Sequence, residues 1–395
     1  MGSGSPQQPP TGGGVTPFDA EATTVAYSNL RPTYIRFANK LSELIREVVA
    51  TSGVEIHQIE QRAKAVDDFK EKIERPGKHY TDPLNEVTDL AGVRVIAYYL
   101  EDVATICEIL RREFSVDEAN SEDPSARLAP NAFGYRSSHL VIALSPPRKT
   151  LAEYRDFADL RAEVQVRTVL QHAWAAIDHK LRYKGTAEVP VEIQRKLFRI
   201  SAMMELGDEQ FSNLRNATEA IRESYQENVA RGSLDIELNA VSLLEYLRTG
   251  DRLAKLTDLA KLAGWRTSAL DEAVISLRSV ATLLPDMNRK ADQLEDSRLL
   301  DTVSANFYIF PTVNIETIRE IDEIIGDGDW AVPILKEIAD ESIMLGFHPI
   351  AGPVDVITIM VLSKKRNQLT ENNLNVLRWR AEGVEATRRV IFGIA

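Results

Sequence analysis

Apolar positions Tyr34, Phe37, Leu41, Leu44, Ile45 and Val48 recur at intervals of three and four, and Ser52-Gly53 follows them. That spacing predicts an amphipathic helix over residues 22–50, closed by a turn. After it the period changes repeatedly. Strands are predicted at 54–59, 91–99 and 138–144, and a half-exposed strand at 161–167, where apolar and polar residues alternate. Helices are predicted at 65–74, 103–114 and from 169 to about 183. Strands alternating with helices in this way give an α/β (α+β) unit, a mixed sheet with flanking helices. Residues 190–230 read as helical throughout.

Beyond Gly232-Ser233 the pattern changes again. Short helical stretches fill 235–300, with a turn at Gly264-Trp265. Strands are expected at 307–315 and 354–362, and helices at 315–325 and near 333–345. The expectation is a second α+β domain over 233–395. Residues 1–17, all uncharged and mostly Gly, Pro, Ser and Gln, cannot bury enough apolar surface to order themselves and are expected to form a disordered tail. The first domain is then 18–230.

Composition narrows the classes. The chain has 395 residues and a formal net charge of −12, with the acidic excess spread over both halves. No basic domain is present to dock on double-stranded DNA by charge, so a polyphosphate or RNA end would need a local pocket. One cysteine, Cys107, excludes a disulfide framework and fits a reducing cytoplasm. No uncharged apolar run of 18 residues predicts a membrane span, and the first residues do not read as a secretory signal. P-loop, HExxH, GxSxG and GxGxxG motifs are missing, and none of the six histidines is followed by Asp.

Four segments between residues 60 and 180 carry candidate chemistry. Arg62 and Lys64, two apart, share a face if extended, and Lys72 follows on the next helix; three cations on one edge suit a triphosphate. Interleaved Glu60, Asp67, Asp68, Glu71 and Glu74 also allow a solvated charge run. Asp89 stands before the buried strand DLAGVRVI, where it suits either Mg²⁺ or a turn, and Arg94 is a charge inside that strand that requires a partner. In Phe133-Gly134-Tyr135-Arg136-Ser137-Ser138-His139, Tyr135 and His139 can present an aromatic face and a ring donor to a base, or Tyr135 can simply pack. In EVQVRT, Glu163, Gln165 and Arg167 line one strand face while Val164 and Val166 face the core. Gln171-His172-Ala173-Trp174 follows, with Trp174 read as core.

Taken in this order, DLAGVRVI, GYRSSH and EVQVRT followed by HAWA resemble the synthetase domain of the RelA/SpoT family of (p)ppGpp synthetases, over roughly residues 55–185. The resemblance implies a nucleotidyltransferase-like fold and transfer of pyrophosphate from ATP to the 3′-hydroxyl of GDP or GTP, releasing AMP. It implies that Asp89 and Glu163 hold Mg²⁺ and that Glu163 helps deprotonate the attacking hydroxyl. Arg62 and Arg94 would sandwich adenine, and Lys64 and Lys72 would bind the ATP phosphates. Tyr135 would stack on the acceptor guanine, with His139, Gln165 and His172 beside it. Two residues depart from the family pattern. Asp68 stands where Ser is common, and His172 where some small members have Asn. The hydrolase domain of long members has no counterpart in this sequence.

Two other functions stay open on sequence alone. One keeps the chemistry but modifies the 3′ end of tRNA, as a toxin with residues 233–395 as a fused neutralising or sensing module. The other is a catalytically silent nucleotide-binding regulator, against which the intact Asp89 and Glu163 argue. A homo-oligomer, and a protein trigger binding a regulatory C-terminal domain, are also left open.

Overall fold

The computed structural model describes residues 18–122, 137–182, 191–266, 301–303, 306–350, 352–370, 373–374 and 379–393, with positions 294, 297 and 299 besides. The expected tail at 1–17 lies outside them. Packing divides the chain into two units, Met1–Arg215 and Asn216–Ala395.

The first unit is built on five strands, β1 (Ile56–Ala63), β2 (Ala91–Ala97), β3 (Phe114–Val116), β4 (Ser138–Leu144) and β5 (Arg161–Thr168). Their order is β1-β2-β5-β4-β3; β2 and β5 run parallel and every other pair antiparallel. Side chains alternate across a strand, so one face collects Ala91, Val93 and Val95, Ala162, Val164 and Val166, and Leu140, Ile142 and Leu144, all buried. Helices α1 (Ala20–Ala50) and α4 (Leu100–Glu113) supply Phe37, Leu41, Ile45, Ile106 and Leu110 to the same core. Only the opposite face is left for chemistry.

Between the strands run α2 (Val66–Glu74), α3 (Pro83–Glu86) and α5 (Pro146–Lys149); α6 (Val169–Arg182) and α7 (Val191–Ala230) follow β5. Thr168 starts α6 as a reciprocal cap. Its amide donates to Gln171 Oε1, the Gln171 amide donates to its hydroxyl (3.0 Å each), and that hydroxyl donates to buried Asp208 of α7 at 2.7 Å. Trp174 is buried against Leu197, as core.

The sheet expectations need two adjustments. The first strand is Ile56–Ala63, because a bulge between Ile56 and Gln58 breaks the alternation and its second half, Glu60-Gln61-Arg62-Ala63, is polar edge. The helix expected at 103–114 begins at Leu100, and Phe114 opens β3.

The second unit corrects the expectation of an α+β domain. Among its described residues there are helices and isolated bridges but no strand. The expected strand at 354–362 is the helix Pro353–Lys364, buried on all sides from Val354 to Leu362 apart from half-buried Asp355. A helix wrapped by others is apolar all round, and its β-branched run mimics a buried strand. Pro353 in its first turn and Asp355, whose carboxylate accepts from the Gly352 amide at 2.8 Å, are its start signals. The strand expected at 307–315 is a short helical turn, Ile309–Thr312, containing Pro311. Among the described residues, no helix is long and apolar enough to cross a membrane.

Candidate active site

Strand register decides which side chains meet on the open face. One row runs Arg62, Gly92, Glu163, Val141; the next runs Glu60, Arg94, Gln165, His139. Gly92 sits between Arg62 and Glu163. A Cβ there would lie 3.7 Å from Arg62 Cγ and 3.9 Å from the Glu163 carbonyl oxygen, filling the floor of a cavity of about 230 Å³. Glu60, Gln61, Arg62, Asp89, Gly92, Val93, Arg94, Glu163 and Gln165 line that cavity.

Asp89, just before β2, holds two lysines. Lys64 Nζ is 2.8 Å from Oδ2, and Lys72 Nζ, from the last turn of α2, is 3.0 Å from Oδ1. Lys64 follows the end of β1. Its amide donates to the Leu90 carbonyl, and its own carbonyl accepts from the Tyr27 hydroxyl (2.8 Å) and Arg31 Nε (3.0 Å) of α1. Burial pushes the Tyr27 hydroxyl up to about 12, so it stays a donor. The helix α1 thus fixes the lysine that faces Asp89.

Glu163 is built differently. His139 Nδ1 lies 2.6 Å from Oε1, and Gln165 Nε2 donates to the same oxygen at 3.1 Å. Burial works to raise its pKa. The His139 hydrogen bond and charge, the Gln165 amide and the Lys72 charge outweigh it and hold the carboxyl down at about 2. The other His139 nitrogen, Nε2, is 2.9 Å from the Ser137 hydroxyl.

Arg94 finds its partner in Glu60, at 2.6 Å, on the neighbouring strand. Arg62 forms no hydrogen bond or ion pair among the described residues. Arg167 donates to Gln165 Oε1, while its Nε is buried without a hydrogen-bond partner among the described residues. Burial lowers its pKa to about 10, assisted by Arg94. His172 projects from α6 with Nδ1 likewise buried and unpartnered. Burial lowers its pKa, against the carboxylate of Glu60 and with the charges of Arg94, Arg167 and His57.

The structure therefore brings Arg62, Asp89, Arg94, Glu163 and Gln165 around one cavity, with Lys64 and Lys72 on Asp89 and His139 on Glu163. His172 shares the electrostatic surroundings of Arg94. Tyr135 lies outside the described residues. Glu60, Gly92 and Ser137 complete the site without having been singled out for it from the sequence, and Arg167 stands beside Gln165 on the strand face that alternation assigned to it. Glu60 was accessible in principle, two residues before Arg62 on the same strand face, but an expected strand ending at 59 excluded it.

The donor set fits Mg²⁺. Three carboxylates line one cavity; Glu60 is paired with Arg94 and Asp89 with two lysines, while Glu163 Oε2 accepts no hydrogen bond among the described residues. Mg²⁺ commonly takes one or two carboxylates and draws its other ligands from water and phosphate. No cluster of three or more His, Cys, Asp or Glu that could hold a metal ion occurs among the described residues.

Residues 61–188 match the region found in RelA / SpoT proteins. GTP pyrophosphokinase YwaC of Bacillus subtilis (strain 168) is 28% identical over 144 residues, 36% of this chain and 65% of that protein. The match thus spans slightly less than two thirds of YwaC. GTP pyrophosphokinase YjbM of the same organism is 29% identical over 169 residues, covering 42% and 74% respectively. Among solved structures, small alarmone synthetase 1 from Bacillus subtilis is similar at 24% identity and a TM-score of 0.42, over 49% of this chain and 98% of that one.

Proposed function

The chain belongs with the RelA/SpoT proteins through residues 61–188, and from that premise we propose that its first unit moves pyrophosphate from ATP to the 3′-hydroxyl of GDP or GTP. The hydroxyl oxygen bonds to the β-phosphorus of ATP, the bond from that phosphorus to the α,β-bridging oxygen breaks, and AMP leaves. The observation that carries this reading is the open sheet face. Three carboxylates, two arginines and two amides line one cavity, with two lysines held on Asp89. Both relatives named above are GTP pyrophosphokinases.

Each residue has work that its surroundings suit. Arg62, without an ion-pair partner among the described residues, and Arg94, oriented by Glu60, offer two guanidinium planes from neighbouring strands for adenine. Lys64 and Lys72 exchange Asp89 for phosphate oxygens when the nucleotide enters, so their charge is pre-positioned. Asp89 and Glu163 would hold Mg²⁺, which when bound supplies positive charge to the phosphates. Glu163, kept ionised, accepts a hydrogen bond from the acceptor hydroxyl and orients it. Phosphoryl-type transfer passes through a loose transition state in which the nucleophile's proton leaves late, so a weakly basic carboxylate suffices to take it. Tyr135 stacks on the acceptor guanine, with His139 and Gln165 beside it. His172, set near Arg94, lines the same region.

Incubating the full chain with γ-labelled ATP and GDP, GTP or tRNA tests the assignment. Label on a guanine nucleotide is expected. Label on tRNA would move the acceptor to an RNA end, and no transfer to any of the three would overturn the enzymatic reading.

A further inference from the structure

The second unit contains a cavity of about 320 Å³ that the proposed transfer does not use. Its walls are aromatic: Trp265, Phe347 and Trp379 all line it. Both indole N–H groups are already committed, Trp265 to the Leu335 carbonyl at 2.8 Å and Trp379 to Asp355 Oδ1 at 3.0 Å. The rings are therefore held in place and what they offer a guest is surface.

Two polar groups on this wall are uncommitted. Ser342 is fully buried, and its hydroxyl has no hydrogen-bond partner among the described residues. A serine inside a helix ordinarily donates to the carbonyl four residues back, and a buried hydroxyl left unpaired costs about 1–3 kcal/mol. At the exposed rim, the Arg380 guanidinium lies 5.5 Å from the centre of the Phe347 ring, with no carboxylate in ion-pair range among the described residues. Asp355, the acid of the wall, is engaged: its oxygens accept from Trp379, from Asn306 at 3.1 Å and from the Gly352 amide at 2.8 Å. The space beside Gly383 is open: a Cβ there would meet nothing closer than Phe347, at 3.9 Å.

We propose that this cavity binds a small planar aromatic anion, its ring between the aromatic walls, its carboxylate or phosphate on Arg380 and a polar ring atom on Ser342. The volume lies near the lower end for ligand pockets, which limits the guest to about one fused ring system with one acidic group.

Calorimetric titration of the full chain uses indole-3-acetate and phenyl phosphate as probes, with tryptamine as the matched cation. Saturable binding of at least one anion is expected, with tryptamine about tenfold weaker or worse than indole-3-acetate. Phenylacetate, which shares the single ring of phenyl phosphate, is added as the matched carboxylate, and the tighter of those two separates carboxylate from phosphate as the natural acidic group. Arg380→Gln, a change at an exposed residue, is expected to remove most of the anion preference, and Gly383→Leu, which fills the cavity, to abolish binding. Three results would overturn the site: no saturable binding of any of the anions at millimolar concentration, tryptamine binding as well as indole-3-acetate, or anion binding unchanged in Arg380→Gln. The last result would place the anion away from Arg380.

Discussion

His139 Nδ1 lies 2.6 Å from Glu163 Oε1, although the strand register sets His139 opposite Gln165. The ring reaches diagonally to the next row, within the range of such cross-strand neighbours. A residue assigned to the acceptor side thus sets the charge of a residue assigned to catalysis. Any acceptor that displaces or polarises His139 acts directly on Glu163.

That contact has a pH signature. The folded-state pKa of Glu163, about 2, lies below its ordinary 4.5. Its contribution to stability is therefore fully present above about 4.5 and is lost as pH falls from there towards 2. Replacing His139 with Asn removes the strongest of the lowering contacts, so the acid-dependent loss is expected to be smaller and to be complete at a higher pH. Melting temperatures between pH 2 and 6 check this; identical acid profiles for the two proteins would contradict the coupling.

Glu163→Gln keeps the shape and removes the charge. Transfer is expected to fall by about three decades, equivalent to roughly 4 kcal/mol of transition-state stabilisation. Thermal unfolding near neutral pH should confirm that the variant is folded. Near-normal turnover would remove Glu163 from the catalytic set.

Lys64 and Lys72 share Asp89 but differ in burial, with side-chain exposures of 11% and 30%. Lys64→Met and Lys72→Met should both raise the KM for ATP. Only Lys64→Met is expected to cost appreciable stability, about 1–3 kcal/mol, because it strips a largely buried carboxylate of its closer partner. Denaturant unfolding distinguishes them, and equal losses would contradict Lys64 as the more deeply buried partner of Asp89.

How far this was legible in the sequence can be followed residue by residue. The face bearing Glu163, Gln165 and Arg167 followed from strict alternation with Val164 and Val166, because β5 is central and its core side admits only apolar residues. Arg94 announced a partner but not which one, since Glu60 belongs to an edge strand whose bulge hid its phase. The approach of His139 to Glu163 depends on the register between β4 and β5, which no local pattern encodes. In the second unit, Val354 to Leu362 was misread because a fully enclosed helix has lost the polar face that reveals its period.

Tyr135→Ala is expected to weaken acceptor binding by about 1–3 kcal/mol, the range of base–aromatic stacking. ATP binding should change little. Equilibrium titration with GDP and with a non-hydrolysable ATP analogue separates the two, and a loss common to both would assign Tyr135 to packing.

The most direct test follows the phosphorus atoms themselves. ATP carrying ¹⁸O in its β and γ phosphoryl groups is supplied with GDP or GTP, and the isotope-shifted products are resolved by ³¹P NMR. The expected result is one AMP per guanine nucleotide modified, with both labelled phosphoryl groups together on its 3′-oxygen. Labelled ADP or free orthophosphate, with no label on the 3′-oxygen, would contradict intact pyrophosphate transfer at this sheet face.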